Sequence, residues 1–223
     1  MPITATIARE DFGHHQEIQN VQFPIEPDAL RAKLDQLGFA EDNIDQFYIK
    51  QIDYIHDEYT DEIDSHFPES IDLTEIDTLN YLADRIDALF DAEQLKLFTL
   101  FDYAASSTSF PYDCVGLDDM LNLTDNLERF VFFPEVNDIY ELAEQYLNTR
   151  PLSQRLSQEL ATGYVDIVQY TKQVIDSEHG NFLHWGYMGW SGELEPSFSE
   201  HGVPDEARVW EKAIHDLLPD KAL

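Results

Sequence analysis

The 223-residue sequence predicts an α+β fold of three small domains in series: an antiparallel sheet plus helix, a helical middle, and a mixed α/β C-terminal domain. Three observations predict it. Apolar residues recur with period two in some stretches and with period 3.6 in others, so strands and helices both occur. Hydrophobic residues make up 43% and aromatic residues 13%, enough to build packed cores. No Gly/Ser linker, repeat or low-complexity tract intervenes, so domain limits follow changes of pattern: 1–69, 70–106 and 107–190, with a tail over 191–223.

Ile3, Ala5 and Ile7 alternate with Thr4 and Thr6, the period of a half-buried strand. After a loop, Val21, Phe23 and Ile25 repeat that alternation. Pro27 suits a first helical position; Leu30, Leu34 and Leu37 follow at i, i+4 and i+7, and Gly38 stands where a helix end wants positive φ. The Ile-, Tyr- and Phe-rich run 47–55 predicts a further strand.

The 70–106 stretch predicts a helical pair. Asp72 and Glu75 have capping-box spacing, with Asp in place of Ser or Thr. Ile76, Leu79, Ala83, Ile86 and Phe90 form an apolar stripe. On the opposite side Asp77, Asp84 and Asp91 step by seven, about 10 Å apart along a helix axis, with Asp87 beside them. Asp91 and Gln94 predict a second cap, and Leu95, Phe98 and Phe101 a buried helix.

Beyond it, Val131, Phe132 and Phe133 predict a short strand ended by Pro134. Val136, Ile139, Tyr140, Ala143, Tyr146 and Leu147 describe an amphipathic helix, and Leu152, Leu156 and Leu160 another. Residues 164–170 read as a strand and 181–190 as a final aromatic strand. In the tail, Pro204 opens a helix with Ala207, Trp210, Ile214 and Leu217 on one face.

Against 45 Asp+Glu stand 13 Lys+Arg, a net charge of −32. An acidic disordered chain would lack the apolar residues found here, so the charge belongs to a folded surface. Such a surface repels nucleic acid and anionic membranes. No apolar run approaches the ~18 residues of a membrane span. The opening Met1–Ile7 has neither a basic nor an apolar signal region, so a cytoplasmic protein is expected.

Familiar catalytic motifs are missing. There is no Walker loop, GxGxxG or HExxH, and Gly189-Trp190-Ser191-Gly192 lacks the spacing of a nucleophile elbow. Cys114 is the single cysteine, has no basic neighbour in sequence, and reads as an inert thiol. His14, His15 and Glu17 have metal-ligating side chains but read as a solvated loop. Asp57, Glu58, Asp61, Glu62 and Asp64 lack the glycine turn and ligand spacing of an EF-hand. No cofactor or catalytic residue is assigned, and the chain is expected not to be an enzyme. A small carboxylate-based or metal-dependent hydrolase is the alternative from another class.

What remains is the charge. Residues 41–93 hold 17 acids and two bases, Lys50 and Arg85, so this stretch carries −15. Ordinary soluble faces intersperse Lys with Glu; crowded like charges oppose compaction. Salt adaptation is the bland explanation, and the high content of large apolar residues weighs against it. Duplex DNA carries one charge per ~1.7 Å, so 32 charges match about 54 Å, roughly sixteen base pairs. A compact globule of this length is about 45 Å across, so DNA-like linear charge density expects an elongated chain. The candidate acidic surface comprises Glu41, Asp42, Asp45, Asp53, Asp57, Glu58, Asp61, Glu62, Asp64, Glu69, Asp77, Asp84, Asp87 and Asp91.

The order of several short motifs resembles a known family. Phe23-Pro24-Ile25 leads into helix 27–37 and Gly38; Ile52-Asp53-Tyr54 follows in an acidic strand. Then come Ser70-Ile71-Asp72 with Leu79-Asn80 and Leu82-Ala83, and further on Leu121-Asn122, Asp138 to Ala143 with Tyr146-Leu147, and Tyr164-Val165-Asp166. Over residues 3–190 the chain resembles the ArdA-type antirestriction proteins, acidic DNA mimics of phages, plasmids and transposons. The resemblance implies an elongated three-domain monomer that forms a homodimer through its C-terminal domain and occupies the DNA-binding groove of type I restriction–modification enzymes, at their methyltransferase core. It assigns Asp138 to Thr149, with Asp138, Tyr140, Glu141, Glu144 and Tyr146, to an antirestriction stretch near the dimer interface. The tail over 191–223 extends past the family's usual end, where its helix is placed to cover the C-terminal domain or alter the dimer. Alternative targets are a CRISPR effector, making the chain an anti-CRISPR, or a nucleoid protein; a further alternative is an acidic chaperone for a basic protein.

Overall fold

The computed structural model describes residues 3–11, 13–54, 66–106, 116–149, 162, 166–190, 192 and 202–214. It is an α+β protein, and its described residues form two antiparallel sheets. The chain forms two compact units. The first holds the described residues up to Gln94, those from 116 to Thr124 and those from 202 to 214; the second holds the rest.

In the first unit, β1 (Ile3–Asp11), β2 (His14–Phe23), β3 (Phe47–Tyr54) and β4 (Ser70–Asp72) form a sheet in the order β2-β1-β3-β4. Ile3 pairs with both Phe23 and Tyr54, and Ile49 with Ile71, so the alternating apolar residues share one register. The fourth strand comes from the stretch assigned to the helical middle. The second strand begins at His14, seven residues before the alternation of Val21 and Phe23 starts. Its first half is polar because it is exposed, which hides the period.

Helix α1 (Pro27–Gln36) opens on Pro27 and buries Leu30 and Leu34. Gly38 ends it at φ +70°, with its N–H bonded to Asp35 O and that of Phe39 to Leu34 O, a Schellman-type stop. A 3-10 turn over Glu41–Gln46 leads into β3. Helix α2 (Ile76–Asp87) buries Ile76, Leu79, Leu82, Ala83 and Ile86. Glu75 accepts from the Asp72 N–H at 3.0 Å, the reciprocal half of the expected capping box.

Phe90 departs from the expected stripe. α2 stops at Asp87, the next helix α3 (Asp91–Ser106) starts four residues later, and Phe90 is 80% exposed in the turn. The second cap is also different. The Phe90 N–H donates to Glu93 Oε2 at 3.1 Å, making Phe90 the cap residue. Gln94 is buried below, donating to Ile86 O and Leu89 O and accepting from Tyr54 Oη. Helix α4 (Leu117–Asp125), which the pattern reading left unassigned, buries Leu117, Met120, Leu121 and Thr124 at i, i+3, i+4 and i+7.

The tail joins the first unit rather than the C-terminal domain. The expected single helix is a 3-10 turn at Asp205–Ala207 and a short α7 (Trp210–Ile214), separated by an extended Arg208. Asp77 Oδ1 accepts from the N–H groups of Val209 and Trp210 at 2.7 and 2.8 Å. Arg31 donates to the carbonyls of Ala213 and Lys212 at 2.8 and 3.0 Å. Trp210 meets Phe39 edge-on at 5.5 Å.

In the second unit, β5 (Phe130–Pro134), β6 (Asn181–Leu183) and β7 (Gly186–Trp190) pair in the order β5-β7-β6. The expected final strand is thus a hairpin, in which Leu183 pairs with Gly186. Gly186 has φ +140°, and a Cβ there would collide with the Phe133 carbonyl oxygen. Helices α5 (Ile139–Thr149) and α6 (Ile167–Ser177) complete it, with Val136, Leu142, Tyr146, Val174 and Tyr187 as core. The strand expected over 164–170 is overturned from Ile167 onward. Asp166 caps a helix there, accepting from Val168 and Gln169 N–H, and this cap outweighs the β propensity of Ile167 and Val168. Residues 164 and 165, the helix expected around Leu152–Leu160, and Cys114 lie outside the described residues.

Candidate functional site

The candidate acids fall on three kinds of support in the first unit. Asp42 and Asp45 are exposed on the 3-10 turn that Glu41 opens, and Glu69 is exposed just before β4. Asp53 is half-buried on β3. Asp84 and Asp87 are exposed on α2, and Asp91 is exposed at the start of α3. Asp77 is half-buried, and its carboxylate holds the tail. Asp57, Glu58, Asp61, Glu62 and Asp64 lie outside the described residues.

Several cations of this unit bind its own backbone. Arg9 donates from Nη1 to Leu37 O and Gly38 O and from Nε to Gln46 Oε1, so it closes the C-terminus of α1 and lies 5.7 Å from the Phe47 ring centre. Arg31 and the tail carbonyls form the second such contact, and Lys212 donates to Glu206 O. Lys50 lies inside the acidic stretch, but its ammonium reaches across the sheet to Glu17 Oε2 at 2.8 Å. In these contacts Arg9, Arg31 and Lys212 meet backbone carbonyls, and Lys50 meets Glu17.

Glu17 is the centre of a small network on β2. Lys50, His15 and Gln19 all hydrogen-bond to it, and together they hold its carboxyl at about 2. Lys50 is raised in turn, first by its bond to Glu17. His15 and Glu17 thus sit on a strand in an ion-pair network, not in the expected solvated loop, and His14 is exposed on the same strand. Among the described residues, no group of three or more His, Cys, Asp or Glu is arranged to hold a metal ion.

Tyr54 links β3 to the acidic turn. Its hydroxyl donates to Gln94 Oε1 at 2.7 Å. Burial pushes the phenol up to about 12, and the charges of Asp87 and Asp91 add to the shift. Asp87 and Asp91, on separate helices, both act on Tyr54 through their charge. The sequence pattern puts Phe90 on the stripe of α2 and pairs Gln94 with Asp91 in a cap, whereas Phe90 itself caps α3 and Gln94 lies buried beneath the turn. Glu93 three residues after Phe90 was the available signal, obscured because Phe is an unusual cap residue.

In the second unit, Asp138 Oδ1 caps α5, accepting from Tyr140 and Glu141 N–H at 2.8 and 3.0 Å. Glu141 returns to accept from Asn137 N–H at 2.7 Å. Glu141 and Glu144 are exposed and Tyr140 is 66% exposed, whereas Tyr146 is buried and donates to the Glu178 carboxylate. Of the expected apolar stripe, Val136, Ala143 and Tyr146 face the core, while Tyr140 and Leu147 face solvent. Residues 138–149 therefore divide into an exposed acidic face and a structural tyrosine.

The first unit also contains an open cleft of about 670 Å³. Ile25, Asn80, Asp84, Arg85, Val209 and Lys212 are among the residues that line it. Its polar groups have mixed charge, and Asn80 Oδ1 is engaged with the Ile25 N–H. No helix among the described residues is long and apolar enough to cross a membrane. No protein-family model matches this chain, and no curated protein matches its sequence.

Proposed function

We propose that the protein is a DNA mimic that occupies the DNA-binding groove of a type I restriction–modification enzyme and inhibits it stoichiometrically. The carrying observation is the −15 balance over residues 41–93, whose Lys50 is drawn away to Glu17. Exposed Asp42, Asp45, Glu69, Asp84, Asp87 and Asp91 take phosphate positions against Lys and Arg of the groove. Long-range attraction speeds encounter and weakens with salt. The mimic offers no base edges, so inhibition is indifferent to the target's recognition sequence.

The same reading places the protein in the host cytoplasm, extends it as three domains in series, and pairs two copies through the C-terminal domain. It makes the protein a binder rather than an enzyme. Expression in a host with a type I system, followed by challenge with unmodified phage, tests it. Plating restored to the level of a restriction-deficient host supports the reading; plating unchanged despite soluble expression removes this target.

A further inference from the structure

A nucleotide pairs a flat aromatic ring with nearby anionic oxygens. The turn between α2 and α3 pairs the same two elements. Phe90 is 80% exposed, and the exposed acids Asp87, Asp91 and Glu93 are its neighbours in the turn. A large aromatic side chain left in water gains nothing from folding, and a ring in an acidic setting is an anchor for a basic partner with an apolar recess.

The turn's backbone is fixed by hydrogen bonds on both sides of Phe90. The Phe90 N–H donates to Glu93 Oε2, and its carbonyl accepts from the N–H groups of Glu93 and Gln94 at 2.8 and 2.9 Å. Beneath it, the buried Gln94 amide donates to Ile86 O and Leu89 O at 3.1 Å each. Its oxygen accepts from Tyr54 Oη, which fastens the turn to the sheet. Backbone order is thus set before any partner arrives, which lowers the entropy lost on binding.

Within the reading given under Proposed function, on which this rests, we infer that Phe90 stands in for an extruded nucleobase and enters the base-binding pocket of the target's methyltransferase core, while Asp87, Asp91 and Glu93 stand in for flanking phosphates. Bases inside a duplex present only their edges, and an exposed ring face is offered to a protein only after flipping. DNA methyltransferases create that geometry, with a basic rim around a pocket that stacks the base between apolar or aromatic side chains.

The test uses the full-length chain and a purified type I methyltransferase core, with affinity measured across a salt series. Phe90→Ala should weaken binding by at least about tenfold, the size of an interface anchor. The slope of log affinity against log salt should stay that of the wild type, because no charge is lost. Phe90→Trp should retain affinity within about threefold. Asp87→Asn with Asp91→Asn should flatten the salt slope. Wild-type affinity in Phe90→Ala, or an equal loss in Phe90→Ala and Phe90→Trp, overturns the base-pocket assignment and leaves the proposed function standing. Failure of the wild-type protein to bind the core overturns both.

Discussion

Gln94 shows how one side chain decides what its neighbours can do. Its amide satisfies two carbonyls at the end of α2 and the hydroxyl of Tyr54, all in a buried setting. Gln94→Ala leaves those groups without this partner, and a loss of about 2–4 kcal/mol is expected by chemical denaturation. Tyr54 carries the local potential as a measurable quantity. Its folded pKa of about 12 lies above the ordinary 10, so the folded state keeps a proton that the unfolded state releases. Stability should fall as pH rises from about 10 to 12. Ultraviolet titration of the phenol should show Tyr54 shifted downward in Asp87→Asn/Asp91→Asn. Glu17 has the opposite sign. Its folded value of about 2 lies below the ordinary 4.5, so its contribution is full above about 4.5 and is lost as pH falls toward 2. Glu17→Gln should be less stable than wild type at neutral pH and converge with it near pH 2.

The elements that could be read from the sequence are those in which local signal and burial agree. Pro27, Leu30, Leu34 and Gly38 mark a helix at both ends and along its face, and α1 follows them. The readings that failed did so where a cap or a turn overruled a periodic pattern. Phe90 continues the stripe of α2 on paper, but the backbone turns after Asp87. Ile167 and Val168 have β propensity, but Asp166 starts a helix. The hairpin of β6 and β7 is concealed because its turn residues His184 and Trp185 are not typical of turns. For the candidate site, the acids themselves were legible, whereas the diversion of Lys50 and Asp77 depends on pairings 33 and 132 residues away in the chain. Asp77 is a cap for the tail, so charge reversal there confounds binding with tail release. Reversal of Asp84, Asp87 and Asp91 to Lys avoids this. It should slow association with the target at low salt by an order of magnitude or more, with a smaller effect at high salt. An unchanged association rate would remove the α2–α3 surface from the interface. Asp77→Ala should destabilise the protein by about 1 kcal/mol and speed amide exchange at Val209 and Trp210, the two N–H groups it accepts from.

At the scale of the whole molecule, the charge of −32 combines two roles that the structure separates. Some carboxylates hold the fold: Asp77 and Asp166 cap helices, Asp138 caps α5, and Glu17 ties β2 to β3. Others, among them Asp42, Asp45, Glu69, Asp84 and Asp91, are exposed, and the proposed phosphate mimic draws on these. The second group makes the protein self-repelling, so added monovalent salt should raise its thermal midpoint while weakening its binding to the target. An enzyme of any kind would act at substoichiometric amounts; a mimic is consumed one complex at a time. The most direct measurement is therefore a titration of purified type I restriction–modification enzyme with this protein, scored by cleavage of unmodified DNA at enzyme concentrations above the dissociation constant. Inhibition that rises linearly to a sharp stoichiometric endpoint, and that is relieved by salt, is the predicted result. Full cleavage at molar excess of folded protein, or inhibition at a small fraction of the enzyme concentration, would contradict it.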